Sequence, residues 1–217
     1  TKEETEYLLV DCHYLGIDNV MALRGDAMKE EKYFMPKNGG NNYAVDLVKQ
    51  IKRLNNGQYL HDLIDVDNKS DFCIGVAGYP EKHLESPSLQ SDLKRLKEKV
   101  DAGADYVVTQ MFFDNQKYFE FVDKCKAAGI HVPIIPGIKP LTNKKQLTVI
   151  PRIFHVDLPT ELIDAMIKTK TDEEAEKVGE EWLVHQSKEL KKAGVPVLHY
   201  YTLGKPKIIY NAVKQVF

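Results

Sequence analysis

The chain has 217 residues, of which 43% are hydrophobic and 29% are charged, and its formal net charge is −2 at pH 7. This composition is typical of one folded globular domain and argues against a disordered chain. The small net charge gives no reason to expect nucleic acid or an anionic membrane as a partner, so a small-molecule ligand is the default expectation.

Three cysteines, Cys12, Cys73 and Cys125, lie far apart in the sequence. They lack the C-x-x-C spacing of common metal sites and an odd number cannot all pair, so we predict reduced thiols and a cytoplasmic protein. No apolar run approaches the roughly 20 residues needed to cross a bilayer, and no signal-peptide pattern is present. Metal-site, P-loop and G-x-S-x-G motifs are also missing, so we predict no bound metal.

Short apolar runs alternate with amphipathic segments along the whole chain. In order, the predicted elements are helix 1–16, strand 19–23, loop 27–42, helix 43–54, strand 72–77, helix 89–103, strand 106–113, helix 116–129, strand 133–138, helices 143–154 and 161–193, strand 197–203 and helix 207–217.

Strands that are apolar throughout, each followed by a helix, imply a parallel sheet buried on both faces. No G-x-G-x-x-G follows a strand, and polar residues cluster beyond strand ends, where barrel enzymes keep their chemistry. We therefore predict an α/β TIM (β/α)8 barrel that forms a single catalytic domain over residues 1–217. Only about five strands are predicted against the eight of a closed barrel. Roughly the first three βα units are expected to be absent from this chain, and a complete open sheet is the alternative.

The tripeptide Arg24-Gly25-Asp26 ends the first predicted strand. It brings together a permanent cation, a flexible backbone that a ligand can approach closely, and a carboxylate. Such a trio suits an anionic or polar ligand. A surface turn with an ion pair explains the same residues equally well.

Two later segments also carry polar side chains at strand ends. The run from Tyr79 to His83 places two rings beside basic residues, which suits a flat cofactor with phosphates, although a solvated turn is favoured for His83 alone. Gln110 is an amide within an apolar strand and must hydrogen-bond if it faces inward, either to a heterocycle edge or to a neighbouring loop. For Pro136 to Pro140 a purely structural role is favoured, and a core layer of tyrosines is the simplest account of residues 199–205.

A series of motifs resembles methylenetetrahydrofolate reductase in order and spacing along the whole chain. They are Met21-Ala22-Leu23-Arg24-Gly25-Asp26, Tyr43-Ala44-Val45-Asp46-Leu47, Val76-Ala77-Gly78-Tyr79-Pro80-Glu81, Lys99-Val100-Asp101-Ala102-Gly103-Ala104, Thr109-Gln110-Met111-Phe112-Phe113-Asp114, Ile135-Pro136-Gly137-Ile138 and Tyr201-Thr202-Leu203. The resemblance implies a homo-oligomeric flavin barrel that passes hydride from NADH or NADPH to FAD. Hydride then passes to 5,10-methylenetetrahydrofolate, giving 5-methyltetrahydrofolate for methionine synthesis in one-carbon metabolism.

The resemblance also implies site residues, position by position. The FAD-contacting set is Arg24, Gly25, Asp26, Tyr43, Ala44, Tyr79, His83, Ser86, Asp92 and Lys99. The implied folate contacts are Asp26, Gln110, Gln146 and Lys205, with Asp26 as the catalytic residue near the flavin. Lys205 stands where the family usually has arginine, so it keeps the charge but loses the bidentate fork. The family's general acid is a glutamate on the first strand, which is expected to lie upstream of Thr1.

Two other interpretations remain open at this point. The chain resembles a flavin-dependent barrel in general, so another oxidoreductase of that architecture, such as a proline dehydrogenase, is one alternative. The second alternative is an inactive truncated barrel that serves only as a structural or partner-binding fragment.

Overall fold

The computed structural model describes residues 1–27, 31, 33–61 and 69–217. The chain divides into two compact units, the first formed by residues 1–77 and 95–107 and the second by residues 78–94 and 108–217. Part of the predicted loop 27–42, namely residues 28–30 and 32, lies outside the described residues.

The described residues form eight helices and six strands, close to the predicted positions. They are α1 (Lys2–Tyr14), β1 (Asn19–Ala22), α2 (Ala44–Asn55), β2 (Cys73–Gly78), α3 (Leu89–Asp101), β3 (Tyr106–Thr109), α4 (Asn115–Ala127), β4 (Ile134–Ile135), β5 (Gly137–Ile138), α5 (Gln146–Phe154), α6 (Thr160–Lys168), α7 (Asp172–Lys192), β6 (His199–Tyr200) and α8 (Pro206–Val216). The prediction of an α/β fold with parallel strands is confirmed. None of the described helices is long and apolar enough to cross a membrane.

Two predicted elements are each divided in the structure. The predicted helix 161–193 breaks at Thr169, which has extended backbone, and restarts where the Thr171 side chain accepts a hydrogen bond from the backbone N–H of Glu174. The predicted strand 133–138 divides at Pro136, which has no N–H to donate to a neighbouring strand.

In the first unit, β1 pairs in parallel with β2, with Ala22 opposite Val76, and the beginning of β3 lies on the other side of β2. Helix α2 packs against β1 and buries Val48, Ile51 and Leu54.

Helix α1 forms as predicted and has a capping box between Thr1 and Glu4. Its apolar residues are not all buried, since Tyr7 is 62% exposed and Leu8 63% exposed. Of these neighbouring apolar side chains, Leu9 is buried while Tyr7 and Leu8 remain exposed.

In the second unit, the end of β3 lies beside β4, and β5 pairs in parallel with β6, with Ile138 opposite Tyr200. Ile138 belongs to a core cluster with residues of α7 and α8, including Leu183 and Ile209. A second cluster joins residues after β3 to α5, α6 and α7. In both units the predicted functional segments follow directly on the carboxyl ends of strands, the usual position of ligand sites in parallel sheets.

Candidate active site

The segment after β1 lines a cavity of about 170 Å³ in the first unit. Arg24, Gly25 and Tyr43 contribute to its walls together with Phe34. The Arg24 guanidinium lies 5.0 Å from the centroid of the Phe34 ring, within the range of a cation–π contact. The Arg24 cation, the Gly25 backbone and the Tyr43 ring therefore meet at one cavity.

The remaining first-unit candidates lie on helix ends or next to the cavity. Asp26 is exposed, two residues beyond Arg24. Tyr43 immediately precedes α2, where its backbone N–H donates to Asp46, and Ala44 is the first residue of that helix. Lys99, on α3, donates from Nζ to the carbonyl of Ala77 at 2.6 Å, so it ties this helix to the end of β2.

In the second unit, Tyr79 and His83 form an edge-to-face ring pair with centroids 4.7 Å apart. Asp92 supports this segment because its two carboxylate oxygens accept hydrogen bonds from the His83 backbone N–H at 3.0 Å and from Ser86 Oγ at 3.1 Å. Ser86 is only 3% exposed, so its hydroxyl is used within the loop. Asp92 and Ser86 thus hold the backbone that carries the two rings.

Sequence reasoning assigned no role of its own to Glu81, which lies between Tyr79 and His83 in the sequence. Its Oε2 accepts a hydrogen bond from the backbone N–H of Asp157 at 2.9 Å. Its Oε1 is buried and has no partner among the described residues. Burial raises the pKa of the Glu81 carboxyl to about 7. The hydrogen bond from the Asp157 backbone acts to lower this pKa, and the negative charge of Asp157 acts to raise it.

The raised pKa predicts that Glu81 destabilises the fold at alkaline pH. The folded carboxyl binds its proton more tightly than the unfolded one, so stability is lost as the pH rises from about 4.5 to about 7. Glu81→Gln should therefore have a higher Tm than the wild type at pH 8 and the same Tm at pH 4. The difference at pH 8 should be on the order of 2–4 °C for each kcal/mol by which the charged carboxylate lowers the free energy of unfolding.

Differential scanning calorimetry at both pH values measures this difference. Glu161→Gln, on an exposed glutamate of α6, is the matched control and should leave Tm nearly unchanged at both pH values. An equal Tm difference at pH 4 and pH 8 for the Glu81 variant would contradict the assignment.

Two predicted folate contacts of the second unit, Gln110 and Gln146, already accept hydrogen bonds from nearby backbone N–H groups. The Gln110 Oε1 accepts from the Met111 backbone N–H at 2.9 Å, and the Gln146 Oε1 accepts from the Thr142 backbone N–H at 2.7 Å. The Gln110 oxygen thus already accepts one hydrogen bond from the adjacent residue. For both glutamines, the amide N–H groups have no partner in the described parts of the chain and are available to a ligand acceptor.

Lys205 follows β6 and precedes α8, and its Nζ forms an ion pair with Glu176 of α7. The lysine keeps a cation at this position, held by one carboxylate. Within the described ranges, no three His, Cys, Asp or Glu side chains are grouped in a way that could hold a metal ion.

The predicted site residues are thus divided between the two units. The first unit carries Arg24, Gly25, Asp26, Tyr43, Ala44 and Lys99, and the second carries Tyr79, His83, Ser86, Asp92, Gln110, Gln146 and Lys205.

Comparison with known proteins identifies one family. The family model for methylenetetrahydrofolate reductase matches residues 1–216. Methylenetetrahydrofolate reductase 1 of Schizosaccharomyces pombe is 34% identical over 215 residues, which cover 99% of this chain and 33% of the relative. The 5,10-methylenetetrahydrofolate reductase of Escherichia coli K12 is 37% identical over 213 residues, covering 97% of this chain and 64% of the relative.

A plant relative and a solved structure are also similar. Methylenetetrahydrofolate reductase (NADH) 1 of Arabidopsis thaliana is 38% identical over 215 residues, covering 94% of this chain and 34% of the relative. The chain therefore spans between 33% and 64% of the length of these curated relatives. A protein from Clostridium thermocellum that binds two copies of 5-methyl-5,6,7,8-tetrahydrofolic acid aligns over 99% of this chain and 87% of its own, with 16% identity and a TM-score of 0.46, too weak to support an inference.

Proposed function

Since this chain belongs to the methylenetetrahydrofolate reductase family, we propose that it forms part of a flavoenzyme that reduces 5,10-methylenetetrahydrofolate to 5-methyltetrahydrofolate. NADH or NADPH is the proposed hydride source, and one-carbon metabolism leading to methionine is the proposed setting. The observation that carries the proposal is the family match over residues 1–216, together with polar segments that follow the strand ends in both units.

The chemistry of the first-unit residues fits parts of FAD. Arg24 offers a permanent cation for a phosphate, and Gly25 and Tyr43 offer a close backbone and a ring at the same cavity. When bound, FAD supplies the hydride acceptance and donation that no amino-acid side chain provides. We propose Arg24, Gly25, Asp26, Tyr43, Ala44 and Lys99 as FAD-binding residues, with Lys99 acting by holding the end of β2.

The chemistry of the second-unit residues also fits parts of FAD. The Tyr79 and His83 rings offer a flat ligand two aromatic surfaces, while Ser86 and Asp92 hold the backbone of that segment. We propose all four as FAD-binding residues, the first two as contacts and the last two as positioning residues.

The folate contacts proposed are Asp26, Gln110, Gln146 and Lys205. The two glutamines each retain amide N–H donors, which suit the acceptor edge of a pterin. Lys205 offers a cation that Glu176 orients. Asp26 is the proposed catalytic carboxylate, since a negative charge beside the folate favours a cationic form of that substrate.

We propose that residues 1–217 form a single catalytic domain that contributes part of an eight-stranded barrel, supported by the alternation of strand and helix. We also propose a homo-oligomer in the cytoplasm, without a nucleic-acid or membrane partner.

The visible spectrum of the purified protein tests the function. A flavin band that bleaches anaerobically with NADH or NADPH and returns on addition of 5,10-methylenetetrahydrofolate is expected. Comparing the rates at which NADH and NADPH bleach the flavin band identifies the hydride donor. Bleaching by proline would support a proline dehydrogenase, and a colourless protein would support an inactive fragment.

Asp26→Asn tests the catalytic assignment. The variant should slow folate reduction by at least about tenfold while flavin reduction by the nicotinamide cosubstrate changes little, because the lost charge acts on the cationic folate. Stopped-flow measurement of each half-reaction separates the two steps. Equal losses in both half-reactions would contradict the assignment.

A further inference from the structure

Lys139 is a buried lysine directly after β5. It is 5% exposed, and its Nζ donates to the carbonyl oxygen of the adjacent Pro140 at 3.1 Å. An ammonium group has three donors, and this bond is the only one that Lys139 makes within the described parts of the chain. Two donors of this buried cation are therefore left without an acceptor among the described residues.

The charges around Lys139 do not neutralise it. Among the described residues, the charged group that acts on Lys139 is Lys205, whose own Nζ is paired with Glu176. Burial first, and repulsion by Lys205 second, lower the pKa of Lys139. A buried cation without a counter-charge raises the free energy of the folded protein. A ligand that supplies the missing acceptor would lower that free energy, so the site favours such a ligand.

The face of the sheet on which Lys139 lies follows from its neighbour. Ile138 packs into the core cluster formed with α7 and α8. Since side chains alternate along extended backbone, Gly137 and Lys139 point to the opposite face. On that face the Tyr201 ring lies against Gly137, and His199 and Tyr201 form an edge-to-face pair with centroids 4.7 Å apart.

This position adjoins two of the proposed folate contacts, Gln146 and Lys205. Thr142, three residues after Lys139, donates its backbone N–H to Gln146, and Lys205 is the charge that acts on Lys139. We infer that Lys139 binds an acceptor oxygen of the folate substrate, a carbonyl or a carboxylate, through the donors that the protein leaves unused. This inference rests on the proposed function and adds a substrate contact to it.

Lys139→Met in the full-length holoenzyme tests the inference, because methionine keeps the apolar length and removes the charge. The KM for 5,10-methylenetetrahydrofolate should rise at least about tenfold, the usual effect of losing a hydrogen bond from a charged donor. Flavin reduction by the nicotinamide cosubstrate should be unchanged, and Tm without folate should be equal or higher. A purely structural lysine would instead lower Tm and leave KM unchanged.

The matched control is Lys168→Met, on an exposed lysine at the end of α6, which should leave KM and Tm unchanged. A wild-type enzyme that fails to reduce the folate overturns the proposed function and this inference with it. A wild-type enzyme that reduces it, with an unchanged KM in Lys139→Met, overturns the inference alone.

The substrate lacking the glutamate, 5,10-methylenetetrahydropteroate, identifies the oxygen. If Lys139 binds the glutamate carboxylate, its replacement should have no further effect on this truncated substrate. If it binds the pterin carbonyl, the same rise in KM should persist. Either result supports the contact, provided that KM for the intact folate rises.

Discussion

Gly179→Ala is expected to lower the free energy of unfolding by about 3 kcal/mol or more, which corresponds to a loss of roughly 6–12 °C in Tm. Gly179 is buried on α7, and a Cβ at this position would lie 1.8 Å from the carbonyl oxygen of Leu141 and 2.8 Å from its carbonyl carbon. The obstacle is backbone rather than the end of a flexible side chain. Either α7 or the segment after β5 must therefore move.

Thermal and urea unfolding followed by circular dichroism measure the effect. Lys177→Ala, on an exposed lysine two residues away on the same helix, is the matched control and should change the free energy of unfolding by less than about 0.5 kcal/mol. Gly75→Ala should cost less than Gly179→Ala, because its Cβ would meet the outer end of the Tyr106 ring, which can turn aside. A Gly179→Ala variant with wild-type Tm would show that α7 does not pack as described.

Asp92→Ala is expected to weaken flavin binding by about 100-fold or more, since two hydrogen bonds to a charged group are lost and together contribute at least about 3 kcal/mol. Without the carboxylate, the His83 backbone N–H and the buried Ser86 hydroxyl lose their acceptor. The segment that carries the Tyr79 and His83 rings is then no longer held in place.

The flavin content after gel filtration, measured by visible absorbance, and a flavin titration of the stripped protein give the loss of affinity. Asp92→Asn is the matched control, since its amide oxygen keeps one of the two acceptors, and an intermediate affinity is expected. Circular dichroism should show the same helix content in all three proteins. Full flavin retention by a folded Asp92→Ala protein would contradict the positioning role.

The helices and strands were predictable because their signals are local. Apolar spacing and stop signals lie within each segment, and the structure places every predicted helix and strand close to its predicted position. The break before α7 carried a local signal too, since Thr171 with Glu174 three residues later is a helix-start pattern. Pro136, which divides the fourth predicted strand, was equally visible in the sequence.

The candidate site was predictable only as segments. Polar residues after strand ends located Arg24 and the run from Tyr79 to His83, and the resemblance supplied their proposed ligand. The sequence did not reveal that Asp92 would hold the His83 backbone rather than stand free, or that the amide oxygen of Gln110 would be used by its neighbour.

The local sequence pattern determined the α/β alternation and the segments that contain the candidate site residues, because both depend on neighbours a few residues apart. Burial and unmet hydrogen bonds depend on residues far apart in the chain, and only the tertiary structure decided them. Burial raises the pKa of Glu81, whose carboxylate accepts a hydrogen bond from Asp157, and Lys139 is left as a buried cation beside Lys205. Neither property can be read from the residues adjacent to them.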